Sequence, residues 1–218
     1  LKQFEEDQQT VCFEDGMAEA VKEPDFDREE EIFQALAMAV RDYYDKMGIF
    51  QRVLETVSGG IDSALGTAIA YEAMGRKLLS VYNLPSRYNS EQGQRLARQL
   101  AANFDLPYQV IPIQDMVDQV VKDFEQHLRP IQSPTTVENL QARIRGNILM
   151  AISNKFGWIV LTTGNKSEMA VGYATIYGDM AGGYAVIKDV PKTLVYELAQ
   201  YRNTVGDLQA IPQSVIDK

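Results

Sequence analysis

The stretch "VSGGIDSAL", Val57–Leu65, sets two glycines, an aspartate and two serines between an apolar segment and the start of a helical pattern. Upstream, "RVLETV" (52–57) reads as a short strand. Downstream, Asp62 to Met74 reads as a helix with Gly75 just beyond its end. A turn of this composition at a strand-to-helix junction suits an anion. The first N–H groups of a helix have no partner within it, and its positive end favours negative charge. Gly59 and Gly60 let the backbone approach a ligand closely, and Ser58 and Ser63 add hydroxyls. Asp62 would repel a bare phosphate, so a divalent cation is expected between them, and with it a nucleoside triphosphate. The loop is not of the Walker type, because no lysine closes it.

Outward from this turn, strands and helices alternate. A helix from Asp27 to Lys46, closed by Gly48, precedes the first strand. After it come a strand in "KLLSVYNL", a helix in "NSEQGQRLARQLAANF", a strand in "YQVIPI" and a helix from Gln114 to His127. A Pro-marked loop at 130–134, a long helix from Val137 to Phe156 and the buried strand "WIVLTTG" follow. A Gly-rich loop at 178–183 and a last helix around Lys192–Tyr201 complete the pattern. The alternation predicts an α/β fold: a doubly wound, mainly parallel sheet with helices on both faces. Ligands in such sheets collect beyond the carboxyl ends of the strands. Three polar loops fall there: Ser58–Ser63, Pro85–Ser90 and Thr162–Glu168.

Composition narrows the partners. At 218 residues with 45% hydrophobic content, the chain can bury one sizeable core. The first 31 residues hold 12 acids and three bases and so carry the whole formal charge of −9. The acidity therefore belongs to the N-terminal arm, most of it in the linker-like residues 1–26 and the rest at the start of the first helix, and does not oppose a phosphorylated ligand elsewhere. A formal charge of −9 is unfavourable for nucleic acid, and no run of about 18 apolar residues points to a membrane, so neither is an expected partner. Cys12 is the only cysteine, which leaves no internal disulfide and points to a cytoplasmic setting. His127, the only histidine, reads as structural, and Lys166 and Lys188 as surface groups.

"SGGIDS" resembles the pyrophosphate-binding loop of the ATP pyrophosphatase superfamily, whose fold is adenine nucleotide alpha hydrolase-like. "LPSRYNS" (84–90), "ENLQARIRGNILM" (138–150) and "LTTGNKSEMAVGYATIYGDMAGG" (161–183) narrow the resemblance to the synthetase domain of NAD synthetase, over residues 27–218. Ile176 stands where ammonia-dependent members carry a lysine, which favours the glutamine-dependent form. The resemblance implies amidation of deamido-NAD to NAD through an adenylated intermediate, with release of AMP and pyrophosphate. It implies that Ser58, Gly59, Gly60, Ile61, Asp62, Ser63, Thr163 and Lys192 contact ATP, and that Asp62 and Glu168 hold Mg2+. Asn139, Arg143, Glu168, Tyr173, Ala174, Thr175, Ile176 and Asp179 match positions that contact deamido-NAD. Asp62, Glu168 and Lys192 form the implied catalytic set.

Further expectations come from the same source. Ammonia is the nitrogen donor, delivered in the full-length enzyme by a nitrilase-like glutaminase domain. The family normally continues beyond "IPQSVIDK" with a C-terminal part that closes the site, and its members form homodimers or higher homo-oligomers. Arg143 and Arg145 lie two apart on one helix and must diverge, with Arg143 the preferred ligand. Adenine contact by Arg87 or Tyr88 stays open. Glu55 departs from the family's apolar strand and is costly there unless paired or exposed. The alternative activities are another amidating enzyme of the superfamily, such as GMP synthetase, and a nucleotide-binding module without turnover.

Overall fold

The computed structural model describes residues 27–205 and 209–217, with positions 4, 8, 10, 13, 14, 17 and 18. The linker-like reading of residues 1–26 falls mostly outside these residues, and so does Cys12. Within the arm, β1 (Phe13–Glu14) pairs antiparallel with β2 (Met17–Ala18).

Helix α1 (Arg28–Met47) starts at Asp27, carries Glu29, Glu30 and Glu31 against its positive end, and stops at Gly48. The φ of Gly48 is 62°, a left-handed conformation that lets its N–H close the last turn on the Tyr44 carbonyl. The chain continues through β3 (Arg52–Thr56), α2 (Ile61–Leu78, leaving helical geometry at Gly75), β4 (Leu79–Asn83), α3 (Glu91–Asn103) and β5 (Tyr108–Val110). Then follow α4 (Gln114–His127), α5 (Pro134–Phe156), β6 (Trp158–Thr162), α6 (Lys166–Val171), β7 (Tyr184–Ala185), α7 (Lys192–Thr204) and α8 (Gln213–Ile216). Several details depart from the sequence reading, the β1–β2 pair and α6 among them. Pro134 opens α5 rather than marking the loop before it, because its fixed φ and missing N–H cost nothing in a helix's first turn. Strand β7 and helix α8 escaped notice because two and four residues are too short to show a period.

The sheet has the order β5-β4-β3-β6-β7, and every neighbouring pair is parallel. From β3 the chain steps outward to β4 and β5, then returns across β3 to β6 and β7. The direction of winding therefore reverses between β3 and β6. At such a reversal the two flanking loops part, leaving a crevice above the strand ends. Alternation along the strands divides the core accordingly. Val53, Val57, Leu79, Val81, Ile159 and Leu161 face α1, α2, α3 and α7. Leu54, Tyr82 and Val160 face α4 and α5.

Glu55 is the charged exception to this apolar alternation among the described residues. It lies on the α2 side of central strand β3, fully buried, and no described cation pairs with it. One carboxyl oxygen accepts the Thr56 N–H, while Oε2 has no partner among the described residues. Burial therefore raises its pKa well above the usual glutamate range. A neutral carboxyl in the native chain and an ionised one in the unfolded chain make the native state bind more protons. Stability is then full below the unfolded glutamate's pKa and falls as pH rises from there towards the folded value, by up to about 1.4 kcal/mol per pH unit. Glu55→Gln should flatten this dependence between pH 5 and 8 in urea unfolding; an unchanged slope would show that Glu55 does not titrate on unfolding.

Candidate functional site

The crevice at the β3–β6 reversal is lined by the loop after β3, the end of β6, helix α5 and the 173–181 segment, around a cavity of about 320 Å³. In the first loop the serines hold one another. Ser63 Oγ accepts the Ser58 N–H at 3.2 Å and donates to the Gly60 carbonyl at 3.0 Å, and the two hydroxyls lie 3.2 Å apart. Ser58 Oγ also accepts the Gly60 N–H. No described side chain caps α2 at Gly60, so its first turn faces the cavity with its donors open to a ligand. Gly59 has φ 83°, and a Cβ there would stand 2.1 Å from the Gly93 carbonyl oxygen. The loop is thus pressed against the first turn of α3, a closeness that only glycine permits.

Asp62, one residue into α2, is held from two sides. Asn165 Nδ2 donates to its Oδ1 at 2.9 Å, and Lys192 Nζ ion-pairs with its Oδ2. Asn165 is fully buried and also caps α6: its Oδ1 accepts the Glu168 N–H, while Glu168 Oε2 accepts the Asn165 N–H. Asn165 therefore fixes both carboxylates at the cavity edge. Lys192 is placed by its own N–H, which donates to Ser167 Oγ at the start of α7. Thr163 reaches the cavity because α2 carries a glycine opposite it: a Cβ on Gly66 would lie 2.3 Å from the Thr163 methyl.

The residues implied to contact a second substrate also converge. Thr175 Oγ1 donates to Asn139 Oδ1 at 2.9 Å, the Asp179 carboxylate accepts the Thr175 N–H, and Arg143 Nε donates to the Ile176 carbonyl. These bonds fold the 173–181 segment back onto α5. Tyr173 and Ala174 line the cavity, whereas the Ile176 side chain is exposed. Arg143 and Arg145 diverge as their spacing demands: Arg143 is exposed, and Arg145 is half-buried and lines the cavity. Arg87 is ion-paired with Asp118 on α4, and Tyr88 is largely exposed. Lys166, Lys188 and His127 are exposed.

The sequence profile of the NAD synthase family matches residues 32–218. The chain belongs to the NAD synthase family. A glutamine-dependent NAD(+) synthetase of Thermotoga maritima is 48% identical over 93% of this chain and 35% of its own length. The chain thus spans about a third of the length of the curated relatives it matches. Among solved structures, the glutamine-dependent NAD+ synthetase of Acinetobacter baumannii in complex with adenosine diphosphate superposes with a TM-score of 0.87. It is 43% identical over 91% of this chain and 38% of that one. The NH3-dependent NAD synthetase of Campylobacter jejuni superposes with a TM-score of 0.77, at 29% identity over 87% of this chain and 77% of that one.

In this member of the NAD synthase family, two site residues went unnoticed in the sequence. Asn165 was legible, since Asn165-x-x-Glu168 is a capping-box pattern; its bond to Asp62 was not, because 103 residues separate them. Gly93 carried no local signal, as its role is to admit a loop from another element. Asn165→Ala should lower stability by about 1 kcal/mol or more through loss of the cap. In an Asp62→Ala background, which removes the acceptor, the loss should be smaller, because the two residues share a hydrogen bond. Fully additive losses in a double-mutant cycle of denaturation midpoints would separate Asn165 from Asp62.

Proposed function

We propose that the chain catalyses the ATP-dependent amidation of deamido-NAD to NAD, as the synthetase half of an enzyme that draws ammonia from glutamine. The observation that carries this reading is the Asp62–Asn165–Glu168 junction, ion-paired to Lys192, at the open end of a phosphate-type loop in a chain of this family. The share of each relative that the chain covers supports a separate glutaminase domain. We assign residues 27–218 to the synthetase unit and 1–26 to an acidic linker, in keeping with a family match that begins at residue 32.

The nicotinate carboxylate acylates poorly because its leaving group would be oxide. In the first step its oxygen bonds to the α-phosphorus of ATP, the bond to the β-phosphate breaks, and pyrophosphate leaves. In the second, ammonia bonds to the acyl carbon, AMP leaves with the electron pair, and a proton passes to solvent. The Ser58–Ser63 loop and the α2 N-terminus bind the departing pyrophosphate. Lys192 exchanges Asp62 for a phosphate oxygen, so the cation that balances the empty site balances the filled one. Thr163 borders the same phosphates. Asn139, Arg143 and Asp179 hold the 173–181 segment, where Tyr173, Ala174, Thr175 and Ile176 border the dinucleotide. Catalysis is chiefly positioning and charge balance.

Asp62 and Glu168 fit Mg2+. They present oxygen ligands only, and Asn165 fixes both. A hard ion that takes one or two carboxylates and completes its shell with phosphate and water suits such a pair, and when bound it neutralises phosphate charge. Exposed Ile176, Tyr177 and Met180 support a homodimer or higher homo-oligomer. No described helix is long and apolar enough to cross a membrane, and we assign a cytoplasmic setting.

The chain should form NAD and AMP from ATP, deamido-NAD, Mg2+ and ammonium, and none when glutamine replaces ammonium. ATP binding without AMP in either mixture would leave a nucleotide-binding module. Asp62→Asn should cut AMP formation by about a hundredfold or more while the denaturation midpoint stays near wild type. Turnover retained in that variant would remove Asp62 from the phosphate chemistry.

A further inference from the structure

Among the described residues, Arg145 is a cation without a counter-charge, and it lines the site. Two residues after Arg143 on α5, it turns away from the 173–181 segment and towards the loop that follows β4. Its Nε donates to the Leu84 carbonyl at 2.9 Å and its Nη2 to Asn89 Oδ1 at 3.1 Å. Both acceptors are neutral. The second is shared, because Asn89 Oδ1 also accepts the Ser86 N–H and the Ser86 hydroxyl. A guanidinium carries five N–H donors, so most of its capacity is unused. Among the described residues no carboxylate lies within salt-bridge distance of it, whereas the more exposed Arg76 and Arg87 are paired with Asp105 and Asp118.

A half-buried cation satisfied only by neutral oxygens is an expense that a fold does not keep without a compensating anion. Desolvation accordingly pulls the Arg145 pKa below its ordinary value. Its position says where the anion comes from. The guanidinium lines the cavity beside the phosphate loop and also a neighbouring cavity of about 530 Å³, bordered by Tyr88, Asn89, Val137 and Gln141. It forms part of the wall common to both. A nucleotide with its terminal phosphates on the Ser58–Ser63 loop would bring the phosphate next to its ribose past this wall.

We propose that Arg145 is a substrate-binding residue that takes the phosphate remaining on the nucleoside, the one joined to ribose, rather than the departing pyrophosphate or the base. This rests on the nucleotide-binding reading of the cavity. The bonds to Leu84 and Asn89 aim the guanidinium across the wall, and the phosphate supplies the missing charge through a charge-assisted contact.

The test is isothermal titration of the 218-residue chain and its R145M and R145K variants with AMP, adenosine and inorganic pyrophosphate. R145M should bind AMP about tenfold or more weakly, the usual cost of one hydrogen bond to a charged group. Adenosine and pyrophosphate should bind R145M as they bind the wild type. R145K, with a point charge in place of the fork, should lose part of the AMP affinity and none of the adenosine affinity. If R145M does not fold, R145K carries the test alone. Unchanged AMP binding, or equal losses for AMP and adenosine, would overturn the proposal, the second result making Arg145 a clamp on the 84–89 loop. A wild-type chain that binds neither AMP nor pyrophosphate would overturn the nucleotide reading, and this proposal with it.

Discussion

The hydrogen bond from Asn165 to Asp62 joins the two halves of the winding. Asp62 belongs to the unit that leaves β3, and Asn165 to the unit that leaves β6. Between these strands the topology reverses and their loops are forced apart. A crevice of this kind is open by construction, so something must fix its two lips relative to one another. Asn165 does so while buried and engaged at both ends of its side chain, the amide nitrogen on Asp62 and the oxygen on the Glu168 backbone N–H. Lys192 adds a third element, since α7 is anchored through Ser167 and reaches the same carboxylate. The cavity is thus bounded by residues far apart in the chain and held by few bonds, each with a definite partner.

Charge follows the same economy. Asp62 and Lys192 neutralise each other, Glu168 is tied into a capping box, and Asp179 is satisfied by a backbone N–H. Arg145 stands apart, paired with neutral oxygens only. Glu55 stands apart in a different sense: its Oε2 is buried with no partner among the described residues, and burial raises its pKa well above the usual range. The two residues represent opposite answers to burial. A carboxyl can keep its proton at neutral pH, whereas a guanidinium does not lose one and must await an anion.

Much of this was legible in the residues. The apolar runs "RVLETV" and "WIVLTTG", separated by helical periods, dictate a parallel α/β sheet, because each strand must be covered on both faces. The glycines and Asp62 of "SGGIDS" announce an anion site by local chemistry alone. Even Glu55 was conspicuous, as an acid where a central strand wants an apolar side chain. Family membership then followed from several separate motifs in one order.

The tertiary structure decided what depends on distance. Sequence placed Asp62 and Glu168 on two polar loops and Lys192 at a helix start, and it showed Asn165 only as a capping pattern; the bond that ties Asn165 to Asp62 spans 103 residues and leaves no local period. Spacing required Arg143 and Arg145 to diverge, yet only packing shows which of them enters the cavity, because the facing of a helix is set by what lies against it. Gly59 and Gly66 could be read as permissive residues; that one admits α3 and the other admits Thr163 follows only from the neighbours a side chain would strike. Local chemistry is written along the chain, and the partners each group finds are written in the fold.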